Sequence, residues 1–362
     1  MSDYQLVDLT VDDSRTIATG IESRIGVDTE FMREKTFFAE LCLMQISTPD
    51  NIYCADPLGE HGNGKACEEF WTSITQLEWV LHASRQDLEV IYQTSGKMPA
   101  SIFDTQIAAA FLGLQPQIGY AGLVKALFSE ELDKSHTRAD WSKRPIGDAL
   151  LRYAAEDVQY LLPAYDELRT RLDKLGRLEW VLADSKDLLD VRLYETDPSL
   201  AIDRLKGARN LRGRSRAAAT ALASWRESQA LRRNRPRQWI IRDNVLIDIA
   251  INAPRSKSAL LQVDGLSEKM VRRLGGDLLR IIAEARHDTS GYEPPRRPNE
   301  AEKAALKEMQ KKVSAVSEEL ELAAELLAPR KELSAIMLGN RESRVLNGWR
   351  RELVGDQLLD LL

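Results

Sequence analysis

Two carboxylates lie in the middle of a segment that otherwise has the composition of a buried β-strand, RIGVDTEFMRE from Arg24 to Glu34. Side chains two residues apart on a strand share a face, about 6.5–7 Å apart along the chain. Asp28 and Glu30 therefore face the same way, where they repel each other and are costly to remove from water. The spacing indicates that a positive charge holds both side chains.

Three further polar residues are candidates to join this pair. Asp87, in HASRQDLEVI, follows a predicted strand at the start of a predicted helix. Tyr153 and Asp157, in LLRYAAEDVQYLL, are four residues apart, a spacing that puts both on one helix face. They lie at the edge of the apolar stripe of that helix. Taken alone, Asp87 is equally explained as an acidic partner of the helix dipole.

Apolar periodicity and turns predict an α/β region up to about residue 175. The predicted strands are Ile25–Phe31, Leu41–Ile46, Ile52–Asp56 and Trp79–His82. The predicted helices are Ala66–Ile74, Arg85–Thr94, Thr105–Leu112 and Gly147–Leu172. Short connections predict that the first three strands form an antiparallel meander, and the later alternation predicts a mixed sheet flanked by helices. Pro163 predicts a kink or break in the last helix.

The chain beyond residue 175 has a helical pattern. It is divided into a module at 205–288 and a second module at 300–362 by a linker rich in proline and glycine. The modules share a weak repeat, in which a basic pair precedes Gly-Asp and an apolar tail, in RRLGGDLLRII and RRELVGDQLLDLL. We interpret the second module as a diverged copy of the first.

Charge is distributed unevenly along the chain. The net charge is −6, yet residues 201–290 contain 19 Lys and Arg against 9 Asp and Glu. A basic module in an otherwise acidic chain indicates either binding of an anionic polymer or a solvated helical surface, and composition does not separate the two.

An arginine cluster in the basic module is flanked by Trp225 and Trp239. The cluster consists of Arg232, Arg233, Arg235 and Arg237. Alternating arginine and tryptophan suits stacking on RNA bases. Tryptophan in a small helical module is more often a core residue, however, and we favour a core position for both.

Composition indicates a cytoplasmic protein. The three cysteines form no C-x-x-C pair and the four histidines are not spaced as a metal pair, so neither a zinc ribbon nor a disulfide framework is expected. A bound metal would therefore be a hard, oxygen-liganded ion, Mg²⁺ or Mn²⁺. No apolar run approaches the roughly 20 residues of a membrane span, and the acidic start lacks the features of a signal peptide.

The strings VDTEF, HASRQDLEVI and YAAEDVQYLL resemble, in order and spacing, the three exonuclease motifs of the DEDD superfamily, in the subclass with a tyrosine in the third motif. FDTQIAAAFLG and LDKSHTRADWSKRP support a resemblance to the ribonuclease D family that covers the whole chain. The 205–288 module resembles the helicase-and-RNase-D C-terminal (HRDC) domain, and 300–362 resembles a divergent copy. One departure is Ala139 in RADW, where the family usually has threonine, so one hydroxyl contact is in doubt.

This resemblance implies an RNase H-like α/β exonuclease domain at 1–175, followed by two all-α HRDC-like domains. It also implies that two divalent metal ions are bound by four residues, Asp28, Glu30, Asp87 and Asp157. Tyr153 would help to orient the attacking water without adding a charge. Two cations about 3.5–4 Å apart suit phosphodiester hydrolysis, because one lowers the pKa of its water and the other neutralises the leaving oxygen.

Other residues near the motifs have weaker indications. Asp104 fits a helix N-cap better than a metal ligand. Phe31 could stack on a terminal base, although a core position is the simpler interpretation. Arg138, Lys143 and Arg144 could contact the phosphate backbone or be simple loop charges, and the sequence leaves both alternatives open.

The leading hypothesis is a metal-dependent 3′→5′ exoribonuclease that trims RNA 3′ ends, such as those of tRNA precursors, and releases 5′-mononucleotides. It would act as a cytoplasmic monomer without membrane contact. Direction and substrate follow from the resemblance alone. A DNA 3′→5′ exonuclease would use the same site, because contact with a 2′-OH leaves no short motif. A catalytically inactive RNA-binding adaptor is the third hypothesis, and the presence of all four carboxylates and the tyrosine argues against it.

Overall fold

The computed structural model describes residues 4–7, 17, 23–59, 65–132, 139–286 and 298–362. The chain folds as two compact units. The first comprises Met1–Met32, Leu41–Tyr194 and Arg296–Leu362, and the second comprises Arg33–Glu40 and Glu195–Pro295. The C-terminal segment therefore groups with the α/β region, whereas the sequence analysis treats 300–362 as a separate module.

A six-stranded mixed sheet forms the centre of the first unit, in the order β1-β4-β3-β2-β5-β6. The strands are β1 (Tyr4–Val7), β2 (Arg24–Met32), β3 (Glu40–Ser47), β4 (Ile52–Ala55), β5 (Glu78–Leu81) and β6 (Ser101–Asp104). β3 and β4 pair antiparallel, whereas β1 with β4, β2 with β5 and β5 with β6 pair parallel. The four predicted strands are confirmed. β1 and β6 were not predicted.

The α/β region also contains seven described α-helices. They are α1 (Lys65–Ile74), α2 (Arg85–Ser95), α3 (Thr105–Phe111), α4 (Tyr120–Phe128), α5 (Asp148–Gln159), α6 (Leu161–Lys174) and α7 (Leu178–Asp187). α5 and α6 replace the single predicted helix Gly147–Leu172, with the break at Tyr160 just before Pro163. The apolar stripe of α5 is buried, including Leu151, Ala154 and Val158, which fixes the direction in which its polar edge points.

The second unit is built from helices. They are α8 (Gly213–Arg233), α9 (Arg237–Ile240), α10 (Asp243–Asn252), α11 (Lys257–Leu260) and α12 (Glu268–Ala285). Leu222, Leu246 and Leu278 are fully buried in a shared core. The same unit buries one carboxylate on α8, that of Glu227, whose two oxygens accept hydrogen bonds from arginine side chains.

The C-terminal helices pack onto the α/β region within the first unit. They are α13 (Glu300–Leu320), α14 (Ala324–Leu327), α15 (Arg330–Met337), α16 (Gly348–Arg350) and α17 (Asp356–Leu359). Trp349 stacks on Trp180 of α7 with ring centroids 5.0 Å apart. Arg350 donates to both carboxylate oxygens of Asp184 at 2.5 and 2.6 Å. This buried ion pair and the stacked rings explain why the segment groups with the α/β region. Among the described residues, no helix combines the length and the apolar character needed to cross a membrane.

Candidate metal and active site

Three carboxylates meet between β2 and α5. Asp28 and Glu30 lie on β2, and Asp157 lies on α5, which packs against that strand. One oxygen from each side chain lies within 4.8 Å of the others, and all three residues are half-buried. Strand alternation puts Asp28 and Glu30 on one face, and the buried stripe of α5 turns Asp157 toward them.

Asp87 is tied to the same strand through a neighbouring hydroxyl. It lies in the first turn of α2, is 8% exposed, and accepts a hydrogen bond from Thr29 Oγ1 at 2.5 Å. Thr29 stands between Asp28 and Glu30 in the chain and is itself buried. The structure thus brings together all four acidic residues that the sequence analysis selected.

Burial is the largest cause of a raised pKa at each of these carboxyl groups. It raises the pKa of Glu30 to about 8 and the pKa values of Asp87 and Asp157 to about 7. The pKa of Asp28 is well above its usual range, because repulsion from Asp87, Asp157 and Glu30 adds to burial. In the part of the chain that the structure describes, none of the four forms an ion pair with lysine or arginine.

Tyr153 lies one helical turn before Asp157 and is hydrogen-bonded to its carboxylate. Burial raises the pKa of Tyr153, and the charges of Asp157, Glu30 and Asp28 raise it further. The phenol is therefore protonated at neutral pH, so it can hold a water molecule but is not a general base. Its ring lies 6.3 Å from that of the buried Trp141, measured between centroids, and this packing restricts its orientation.

The residues fit a divalent cation. The donor set consists of carboxylate oxygens, which are the hard ligands that Mg²⁺ and Mn²⁺ prefer. Several carboxylates brought within 4.8 Å of one another repel when ionised, and a cation between them reverses the sign of that interaction.

Asp104, another buried carboxylate of the first unit, has a different environment. It caps α3 by accepting hydrogen bonds from the backbone N–H groups of Gln106 and Ile107, and its second oxygen accepts from the N–H and hydroxyl of Ser84. The predicted N-cap is confirmed. The carboxylate has protein donors on both oxygens, so no metal is needed to explain its burial.

Arg144, offered as a candidate phosphate contact, is a structural residue. Its Nε and Nη2 donate to the two oxygens of Asp56 at 2.7 and 2.6 Å, and its Nη1 and Nη2 also donate to the carbonyls of Trp141 and Cys42. The guanidinium thus holds the loop against the sheet, and a phosphate contact by this residue stays a prediction. Lys143 is exposed, with its ammonium 3.8 Å from Asp140.

Two other candidates stay as predictions. Phe31 is half-buried on β2, and strand alternation turns its ring to the face opposite Asp28 and Glu30. Arg138 lies outside the described residues.

The arginine cluster of the second unit divides into two kinds of residue. Arg237 is structural, because it donates to both oxygens of Glu227 at 2.5 and 2.7 Å and stacks on Phe37. An RNA contact at Arg237 stays a prediction. The other three members are exposed: Arg232, Arg233 and Arg235.

The two tryptophans also differ. Trp225 is half-buried and packs against the core of the second unit, in keeping with the prediction. Trp239 is 57% exposed, and Arg235 lies over its ring at 5.9 Å, so a core position for Trp239 is wrong. α9 has only four residues and buries Ile240, which leaves the preceding Trp239 on the outside.

Two residues of the site were not found from the sequence. Thr29 lies inside the DTE string, and its role as donor to Asp87 depends on a helix 58 residues away. Trp141 belongs to the string RADW, which contributed to the resemblance without any role for the ring. Its position beside Tyr153 depends on tertiary packing and has no periodic signal in the sequence.

Comparisons with known proteins agree on one family. A family model described as 3′-5′ exonuclease matches residues 13–173, and the HRDC domain model matches residues 215–282. A ribonuclease D from Gluconacetobacter diazotrophicus is 36% identical over 350 residues, covering 94% of this chain and 88% of that protein. A ribonuclease D from Acidiphilium cryptum is 38% identical over 352 residues, with 94% and 88% covered. Among solved structures, Escherichia coli RNase D, described as an exoribonuclease involved in structured RNA processing, superposes with a TM-score of 0.89 at 29% identity, covering 99% of this chain and 98% of that one.

Proposed function

The chain belongs to the ribonuclease D family and is a 3′→5′ exoribonuclease, and from that premise we propose which residues carry out the hydrolysis. Asp28, Glu30, Asp87 and Asp157 bind two divalent cations, Mg²⁺ or Mn²⁺, and Tyr153 orients the attacking water. The observation that supports this most directly is the meeting of three half-buried carboxylates that have no basic partner among the described residues.

The chemistry divides between the ions and the side chains. When bound, the two cations lower the pKa of the attacking water and neutralise charge on the leaving oxygen. The Thr29 hydroxyl and nearby backbone N–H groups donate to the Asp87 carboxylate and restrict its orientation. Tyr153, protonated and held beside Trp141, hydrogen-bonds the water and orients it toward the phosphorus without supplying a base.

The test uses 5′-labelled single-stranded RNA and DNA of one sequence, with Mg²⁺, with Mn²⁺ and with a chelator. We expect RNA to shorten stepwise from its 3′ end with either ion and to remain intact with the chelator. Faster loss of DNA than of RNA would favour the DNA exonuclease. Binding without shortening under any condition would favour the inactive adaptor.

The second unit contributes RNA affinity in this proposal. Arg232, Arg233 and Arg235 are exposed, and Arg235 lies over the exposed ring of Trp239. A tryptophan face offers a stacking platform for any base. The excess of basic residues in the segment 201–290 should also raise RNA affinity, because phosphates neutralised by arginine release their condensed counterions.

RNA binding at several salt concentrations tests this surface in the full chain. The double variant Arg232→Ala/Arg233→Ala should flatten the slope of log K against log salt by about 1.4, since each contact on a single strand contributes about 0.7. Lys311→Ala/Lys312→Ala on α13 is the matched control, because it removes two adjacent exposed charges elsewhere. Equal slopes for the two double variants would mean that the arginines are only a solvated surface.

We further propose that tRNA precursors with extended 3′ ends are substrates and that the enzyme acts as a cytoplasmic monomer. A precursor with a short 3′ extension should be trimmed to its mature end and then degraded much more slowly. Light scattering coupled to size exclusion should give the chain mass of 40.8 kDa. A mass of twice that value would contradict the monomer.

A further inference from the structure

Two polar side chains on β3 are buried without a protein partner. Gln45 is 0% exposed and Ser47 is 3% exposed. In the described part of the chain, the amide nitrogen and oxygen of Gln45 and the hydroxyl of Ser47 have no hydrogen-bond partner. Buried polar atoms are nearly always bonded, by protein or by ordered water, so both side chains require a partner that the polypeptide does not supply.

Both side chains point to the face of the sheet that carries the acidic residues. Gln45 and Ser47 are two residues apart on β3 and therefore share a face. A Cβ atom added to Gly26 of β2 would collide with Ser47 Oγ, so Gly26 and Ser47 are opposite neighbours on that face. Asp28 lies two residues after Gly26 on β2, so its side chain points to the same face of the sheet.

The register of the two strands then places Gln45 opposite Asp28. β2 ends at Met32 and β3 begins at Glu40, a connection too short for a parallel crossover, so these neighbouring strands run antiparallel. Pairing Gly26 with Ser47 in an antiparallel ladder pairs Asp28 with Gln45. Directly opposite side chains on one face have Cβ atoms about 4.5–5.5 Å apart, which puts the carboxamide beside the Asp28 carboxylate.

We propose that Gln45 is a positioning residue for Asp28, acting through a buried water that Ser47 also binds. A water needs two to four polar partners, and the carboxamide, the hydroxyl and the carboxylate supply them. The carboxamide fixes the water, and the water donates to one oxygen of Asp28, which orients the other oxygen toward the cation. Hydrogen-bonded groups behind a metal-binding carboxylate commonly change metal affinity or activity by 10–100-fold when they are removed.

This inference rests on the proposed metal site, and its test measures cation binding directly. Gln45→Met keeps the length of the side chain and removes both polar atoms. Mn²⁺ titrated into the full-chain protein, followed by calorimetry, should bind about tenfold more weakly to Gln45→Met than to wild type. Ser47→Ala, which removes one bond to the same water, should weaken binding by a smaller factor.

Met44→Leu is the matched control, because Met44 is buried on the opposite face of the same strand. It should bind Mn²⁺ like wild type even if its melting temperature changes. The metal-free melting temperature of Gln45→Met is measured alongside, so that a loss of stability is recorded separately from a loss of Mn²⁺ affinity.

Wild-type Mn²⁺ affinity in Gln45→Met would overturn the assignment. If Gln45→Met does not fold, Ser47→Ala decides in its place, and unchanged affinity there would likewise overturn it. Failure of wild type itself to bind Mn²⁺ would instead contradict the proposed metal site, so the two failures are distinguishable.

Discussion

The carboxylate cluster of the first unit and the buried carboxylate of the second unit differ in how their negative charge is neutralised. Glu227, 1% exposed on α8, is bonded by Arg237 at 2.5 Å and by Arg204 at 3.2 Å. Asp28, Glu30 and Asp157 crowd within 4.8 Å of one another, and burial and repulsion raise the pKa of each. The polypeptide itself neutralises a carboxylate that is paired with arginine. A group of ionised carboxylates needs an added cation to neutralise its charge.

Whether a charged side chain has a partner within the protein distinguishes structural from functional charges more clearly than its residue type does. Arg237 is a candidate binding residue in the sequence, yet its charge is neutralised by Glu227 inside the second unit. Asp104 shows the same principle with backbone donors in place of arginine. The following predictions each change a side chain, or its protonation, on one side of this comparison.

The largest effect is expected on the stability of the second unit. Glu227→Gln should lower its free energy of unfolding by about 3 kcal/mol, because it removes the charge of a buried carboxylate that accepts hydrogen bonds from Arg204 and Arg237, and bonds to charged groups contribute about 1.5–3 kcal/mol each. Denaturant unfolding of the full chain measures this. Glu284→Gln is the control, since it removes an exposed carboxylate paired with Arg280, and it should change stability by no more than about 0.5 kcal/mol.

Loss of a metal ligand should affect chemistry and leave the fold intact. Asp28→Asn, Glu30→Gln, Asp87→Asn and Asp157→Asn should each slow hydrolysis roughly a hundredfold or more, because cation stabilisation contributes several kcal/mol and each 1.36 kcal/mol is about tenfold in rate. Single-turnover rates on labelled RNA measure this. Glu156→Gln, the neighbouring acid on α5, should stay active. A ligand variant with a near wild-type rate would remove that residue from the site.

The neutral hydroxyl of Tyr153 should contribute less to the rate of hydrolysis than a metal ligand does. Tyr153→Phe should lower kcat by about tenfold, since it removes one hydrogen bond to the water with a net value of about 1–1.5 kcal/mol. KM and RNA affinity should barely change. Much weaker RNA binding by this variant would make the hydroxyl a substrate contact and contradict the water-orienting role.

The most gradual effect is a pH dependence of the stability of the metal-free protein. Carboxyl groups whose folded pKa is raised stabilise the folded state below their unfolded pKa of about 4 and lose that contribution as pH rises through about 7 for Asp87 and Asp157 and about 8 for Glu30. The free energy of unfolding of the first unit should therefore fall between about pH 4 and pH 8, by at most about 1.4 kcal/mol per pH unit for each proton.

Thermal melts with chelator across that range measure the decline, and Mn²⁺ should remove most of it. Asp28→Asn, which relieves the repulsion, should melt at a higher temperature than wild type without metal at pH 8. A flat profile for the metal-free wild type would show that the carboxylates do not repel one another in the folded state.

Local features of the site could be predicted from the sequence alone. The two-residue spacing of Asp28 and Glu30, the four-residue spacing of Tyr153 and Asp157, and the cap at Asp104 all follow from the periods of strands and helices. These periods are properties of the backbone over a few residues, so a short string contains all the information they need.

Pairing between distant charges was decided by the tertiary structure. Arg144 reaches Asp56 across 88 positions and Arg350 reaches Asp184 across 166, and nothing in either string identifies its partner. The same holds for the exposed face of Trp239 and for the unpartnered amide of Gln45 in the apolar string LCLMQIS. A side chain shows its type in the sequence, but whether its charge or polar atoms are satisfied depends on which distant segments pack around it.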